Sequence, residues 1–338
     1  MRFWLRKGGR GATSVAAVAL AAGLCCAAAA QTSRELREPI EPIPLRVEFD
    51  AGRAALGELL FQDKRLSLER DRSCASCHPL DRGGVDGRMR AEPRNNLRRM
   101  RNTPTVFNVV FNGYVTWDGA FDGLGPLTEK VLTDPALMAN TWPEILTRIR
   151  ADPELARRFG ENYRLGATRE NVLDAFEQFL RSLTTPNSRF DRWLRGQTDA
   201  ISEDELRGYG LFKNFGCVSC HQGVNVGGNL FQKFGVFWNP ERTEEQKLLV
   251  DWGKFRWSRD ERDREVFRVP PLRNVELTAP YFHDGKAPRL ETAVRAMAQV
   301  QLDRRTTPEE ERLLVAFLRT LTGEYKGQPL APPAAPER

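Results

Sequence analysis

The chain has 338 residues, of which 41% are apolar and 28% charged, and a formal net charge of +6. This composition excludes a disordered chain and a membrane-embedded bundle, and the length accommodates two domains of ordinary size. Arg2, Arg6, Lys7 and Arg10 supply four of the positive charges, and residues 1–30 contain no acidic residue. Without that segment the charge falls from +6 to +2, which removes the support for a nucleic-acid partner.

The same four cations form a basic head, followed by an apolar run from Ala12 to Ala30 that ends in Ala28-Ala29-Ala30. This reads as a cleavable secretory signal over residues 1–30, and it places the mature protein in the periplasm. The run also approaches the length of an uncleaved anchor. Residues 31–50 are polar and carry Pro39, Pro42 and Pro44, as expected of an N-terminal arm.

A first domain is expected over residues 51–196. In it Gly57-Glu58-Leu59-Leu60-Phe61 leads to Cys74-Ala75-Ser76-Cys77-His78, and Gly83-Gly84 follows. Further on, Val172, Phe176, Phe179, Leu180 and Leu183 share one face of a helix over 169–183. A second domain is expected over residues 197–325. Ser202 and Glu205 form a capping box that opens its first helix. Gly208-Tyr209-Gly210-Leu211-Phe212 then leads to Cys217-Val218-Ser219-Cys220-His221, followed by Gly227-Gly228. Thr307, Pro308 and Glu310 open a last helix whose apolar side is Leu313, Leu314, Phe317, Leu318 and Leu321, and Gly323 closes it. Residues 326–338, rich in Pro and Ala, are expected to be a disordered tail.

C-x-x-C-H is the attachment signature of c-type haem. Two cysteines three apart on one turn reach two vinyl groups on one edge of the porphyrin, and the adjacent histidine lies beneath the iron. Of six cysteines, Cys25 and Cys26 fall in the signal, and the other four all lie in the two motifs. The rivals are a four-cysteine zinc site and a thioredoxin-like redox pair, and both leave the two histidines unexplained. Few alternating β-branched runs occur. The expected fold is therefore mainly α, with two cytochrome c-like haem domains packed against each other and two covalent haems.

Leu272 to Gly285, with Thr278-Ala279-Pro280-Tyr281-Phe282-His283-Asp284 at its centre, resembles the bacterial di-haem cytochrome c peroxidases. So do Asn102-Thr103-Pro104-Thr105-Val106, Trp117-Asp118-Gly119 and Thr185-Pro186-Asn187-Ser188-Arg189-Phe190-Asp191. The wider group includes the di-haem enzyme that builds a tryptophan-derived quinone cofactor in methylamine dehydrogenase. The resemblance runs from about Ala51 to Gly323. It implies that His221 and Met297 are axial ligands of an electron-transfer haem, whose potential a thioether raises. It also implies that Trp117 lies between the haems and that Arg268 pairs with a propionate. Asn102, Thr278 and Pro280 match a calcium site built from oxygen ligands. A homodimer and a small electron donor, a cytochrome c or a cupredoxin, are implied as well.

Two departures stand against that pattern. The chain has only three histidines, and the position of the family's capping histidine falls on Arg94. The family's distal glutamate falls on Leu137, beside Met138, and its distal glutamine on Leu127, with Glu129 and Asp134 nearby. Arg94 is then a fixed charge able to stabilise a developing oxyanion. Three functions fit: a periplasmic peroxidase that reduces hydrogen peroxide, a di-haem oxidase that modifies an aromatic residue on a partner protein, and a pure electron-transfer cytochrome.

Overall fold

Residues 38–95, 100–237 and 250–331 are described in the computed structural model of the chain. The expected signal, the first part of the arm (31–37) and the end of the tail (332–338) lie outside the described residues. Helices dominate. From Pro39 onward the chain forms one compact unit that holds two separate hydrophobic cores.

Each core is organised by one helix crossing. In the first, α1 (Ala51–Gln62) is capped by Asp50, whose side chain accepts the Arg53 amide at 3.0 Å. It crosses α2 (Arg169–Ser182), whose stripe of Val172, Phe176 and Phe179 is buried as the sequence periodicity predicts. At the crossing a Cβ on Gly57 would stand 2.0 Å from the Ala175 carbonyl oxygen, so only glycine lets the two backbones approach. The second core repeats this device. There α3 (Glu203–Asn214) opens at the predicted Ser202–Glu205 capping box, and α4 (Pro308–Arg319) at the Thr307–Glu310 box. A Cβ on Gly208 would meet the Leu313 carbonyl oxygen, again at 2.0 Å.

A second repeat joins the two halves. Asn108 and Asn274 both take left-handed φ, 58° and 59°, and each opens a single 3-10 turn. Asn108 takes the Leu183 carbonyl with its backbone N–H (2.7 Å) and the Thr185 N–H with its side chain (2.8 Å). Asn274 does the same with Leu321 (3.2 Å) and Gly323 (3.0 Å). The Nδ2 atoms of both asparagines donate to one hydroxyl, Thr185 Oγ1, at 2.7 and 3.0 Å. The two halves therefore meet at matched residues, with both asparagine side chains and the Thr185 hydroxyl paired as burial requires.

The ends of the chain depart from the expected division. The arm is not loose throughout: Ile40 packs into the second core, and Ile43 beside it is fully buried. The expected tail is ordered at its start. Gln328–Pro329 pairs antiparallel with Glu324–Tyr325, and Leu330 packs on the first core. The expected boundary after residue 196 also cuts the second core, because Phe190 and Trp193 belong to it. In each case buried apolar side chains outweigh the local polar and Pro-rich composition. Arg273 ties these pieces together. Its guanidinium pairs with Asp191 at 2.8 Å, both side chains being fully buried, and donates to Ser188 Oγ and to the carbonyls of Glu41 and Val224.

Candidate functional site

The first C-x-x-C-H motif forms a single helical turn, Cys74–Cys77, started by Ser73, whose N–H donates to Ser76 Oγ at 2.9 Å. The turn ends as the His78 N–H reaches the Cys74 carbonyl (2.9 Å). The second motif forms a 3-10 turn, Cys217–Ser219, and the His221 N–H closes on the Cys217 carbonyl at the same distance. His78 Nδ1 lies 3.0 Å from the Gly84 carbonyl, and His221 Nδ1 lies 3.3 Å from that of Val226. A carbonyl only accepts, so each Nδ1 carries the proton and each Nε2 keeps a lone pair for a metal. Burial holds both rings neutral, with His221 pushed down to about 4. It also pushes the Cys74 thiol up to about 12 and that of Cys217 to about 11. Among the described residues no three His, Cys, Asp or Glu side chains converge, so the four cysteines do not form one zinc cluster.

Beside the second motif lies a cavity of about 450 Å³, lined by Cys217, Cys220, His221, Met297, Arg268 and Trp117 among others. A short antiparallel pair, Phe231–Lys233 with Val266–Arg268, carries Arg268 into its wall. Arg268 is 3% exposed, its Nε donates to the Thr116 carbonyl at 2.9 Å, and its Nη1 is buried without a partner. Burial alone lowers its value to about 10, since no carboxylate of the chain compensates it. An unpaired buried guanidinium N–H on the wall of such a cavity fits a carboxylate-bearing cofactor such as haem. Met297, on α5 (Leu290–Leu302), brings a thioether to the same space.

Trp117 belongs to the first half by sequence but lines this cavity. Its indole N–H donates to the Asn102 carbonyl at 2.8 Å, and its ring meets His283 edge-on at 6.4 Å. His283 stacks on Phe267 at 4.1 Å. Asn102, Thr278 and Pro280 line the cavity together, and the Asn102 amide nitrogen is committed to the Arg88 carbonyl at 2.9 Å. Next to Trp117 runs a network that sequence reasoning missed. Arg101 bridges Asp118 (2.7 Å) and Asp251 (2.6 Å). These residues lie too far apart along the chain for any spacing rule to link them.

The expected distal residues are placed as follows. The Arg94 guanidinium is 15% exposed and pairs with Asp71 at 2.8 Å, while its backbone N–H donates to the Ala136 carbonyl. The Glu129 carboxylate is held by Arg169 and by the Trp142 indole N–H, and the Arg169 hydrogen bond keeps it below the usual carboxylate range. Asp134 is buried and caps the turn that carries Leu137 and Met138. Leu127 and Leu137 are half-buried.

Comparison with known proteins accords with this geometry. The family model described as di-haem cytochrome c peroxidase matches residues 51–199. The chain is 41% identical over 301 residues to a cytochrome c551 peroxidase of Nitrosomonas europaea, covering 88% of each. It is 40% identical over 289 residues to the cytochrome c peroxidase Ccp of Escherichia coli (strain K12), covering 85% of this chain and 62% of that relative's length. The crystal structure of a MauG-like protein associated with microbial copper homeostasis superposes with a TM-score of 0.70 at 27% identity, over 85% of this chain and 94% of the other. The chain belongs to the di-haem cytochrome c peroxidase family, and two haems are implied by that membership.

Proposed function

We propose that the chain is a periplasmic peroxidase, exported by the signal at residues 1–30, that reduces hydrogen peroxide with electrons from a cytochrome c or a cupredoxin. The observation that carries this reading is the cavity in which His221, Met297 and the unpaired Arg268 face one space, with Trp117 reaching in from the other half. Cys74 and Cys77, and Cys217 and Cys220, would each hold one haem by thioethers, with His78 and His221 beneath the irons. The haems would supply electron storage at one site and peroxide reduction at the other. Met297 would give the second site its thioether ligand, Arg268 would pair with a propionate, and Trp117 would couple the two sites. Asn102, Thr278 and Pro280 would hold one calcium ion through oxygen atoms. At the first site Arg94 would supply fixed positive charge and Glu129 a carboxylate. The expected homodimer rests on family resemblance.

Each peroxide consumes two electrons and two protons and yields two waters. Stopped-flow mixing of the holoprotein with peroxide and a reduced small cytochrome or cupredoxin tests the proposal. Rapid oxidation of the donor in that stoichiometry is expected, and a donor that stays reduced overturns it. A second reading, an oxidase acting on an aromatic residue of a partner protein, is favoured by Leu127 and Leu137 at the positions of the family's polar distal groups. A slow donor reaction beside a partner protein that gains mass after peroxide addition selects it.

A further inference from the structure

The two halves match beyond their haem turns. From Pro104 to Leu124 and from Pro270 to Leu290 the chain repeats at one constant offset. Pro104 pairs with Pro270, Asn108 with Asn274, Val109 with Val275, Asp118 with Asp284, Gly119 with Gly285 and Leu124 with Leu290. The backbone follows this register. Thr116 and Phe282 take φ of 69° and 74°, and Gly119 and Gly285 take 63° and 66°. Isolated antiparallel bridges close both loops, Val115 to Phe121 and Tyr281 to Ala287. Each loop then enters a helix, at Leu124 in α6 (Leu124–Thr133) and at Leu290 in α5. Because the loops agree in length, turn and bridge, the two helices start in the same register, and a shift of one residue would rotate every side chain by about 100°.

Met297 is the eighth residue of α5, and the eighth residue of α6 is Val131. Met297 lines the second cavity with Cys217 and His221. Val131 packs partly buried on the first core, as do Cys74 and Ala75 of the first haem turn. We infer that Val131 keeps the sixth coordination position of the first haem site open, because it stands where the other half places its thioether ligand. This inference rests on the proposed assignment of Met297 as an iron ligand. An isopropyl group has no lone pair, and it ends short of the reach of a methionine sulfur. The neighbouring distal position, Leu137, adds a second side chain without a donor atom. Arg94 is engaged by Asp71 and carries a cation that does not ligate iron.

Electron paramagnetic resonance of the ferric holoprotein tests this, with four forms compared. The parent should show one high-spin and one low-spin haem. Val131→Met should convert the high-spin signal to a second low-spin His/Met signal and abolish direct peroxide binding, followed by the absorption change on peroxide addition. Val131→Leu, which fills space without a sulfur, should leave the high-spin signal. The double variant Val131→Met/Met297→Val should exchange the two signals between the halves. A Val131→Met protein that retains both haems and stays high-spin at the first site overturns the inference. Two low-spin signals in the parent also overturn it, since the site would already be capped. Failure of the peroxidase reading alone would appear differently, as the predicted spin states without donor oxidation.

Discussion

The two halves of the molecule share a frame and differ at the residues that the frame presents. Both cross two helices at a glycine, both turn on a left-handed asparagine, and both hold the histidine of the haem turn by a backbone carbonyl. At matched positions the first half has Val131, Trp117 and Asn102 where the second has Met297, His283 and Arg268. The comparison separates what makes a haem site from what gives it a task. The frame is indifferent to sequence over most of its length, whereas under the proposed function the task would rest on a few side chains on one helix and one loop.

The comparison breaks most sharply at Arg273, whose counterpart in the first half is Phe107, an apolar residue equally buried. Arg273→Ala leaves Asp191 charged and unpaired in the interior and should cost about 3–5 kcal/mol, read by denaturant unfolding. Removing Asp191 in the same protein should add little, because the stranded charge disappears with it. No such coupling is expected around Phe107. The glycine crossings sharpen the comparison in the other direction. Gly57→Ala and Gly208→Ala place a methyl group against a backbone carbonyl in equivalent ways. Each should destabilise by about 3 kcal/mol, the upper end for overpacking, with similar shifts in the thermal melting of the holoprotein. A large difference between them would mean that the crossings are not equivalent.

The smallest effect concerns Asp251. Burial would raise its value, but the hydrogen bonds and charge of Arg101 bring it down to about 2. A carboxylate depressed on folding stabilises above its unfolded value, near 4, and that stability is lost as pH falls from about 4 to about 2. The contribution is about 2 kcal/mol. Asp251→Asn should flatten this limb of the stability–pH curve, measured by urea unfolding between pH 5 and pH 2.5 at a constant ionic strength of about 0.1 M, where the Debye length is about 10 Å. The difference between the parent and Asp251→Asn should report on the loop beside Trp117, where Arg101 bridges Asp118 and Asp251.

Much of the frame was legible in the sequence because its signals are local. The C-x-x-C-H turns, the capping boxes at Ser202 and Thr307 and the apolar stripes of the helices at 169–182 and 308–319 each lie within one or two turns of chain. The Asn-centred repeat was harder to read, since only scattered residues such as Pro104, Asn108 and Gly119 recur and backbone angles carry the rest. Contacts between distant segments left no trace. Ile40 and Ile43 sit in a polar stretch, and nothing local says which core they enter. Arg101 finds Asp251 only once the loops are folded.

Ile40 is synthesised before every other residue of the core it helps to close. Phe317, Leu318 and Leu321, which complete that core, are made after the whole of the first half, and Tyr325 and Leu330 on the first core come later still. Neither core can finish before Leu321 and Leu330 have been made, so the halves do not fold as successive independent units. The segments around Ile40 and Leu330 act as a clasp. A cut in the link near residues 196–200 would leave each fragment holding a piece of the other's interior, and the nicked protein should stay together as one particle.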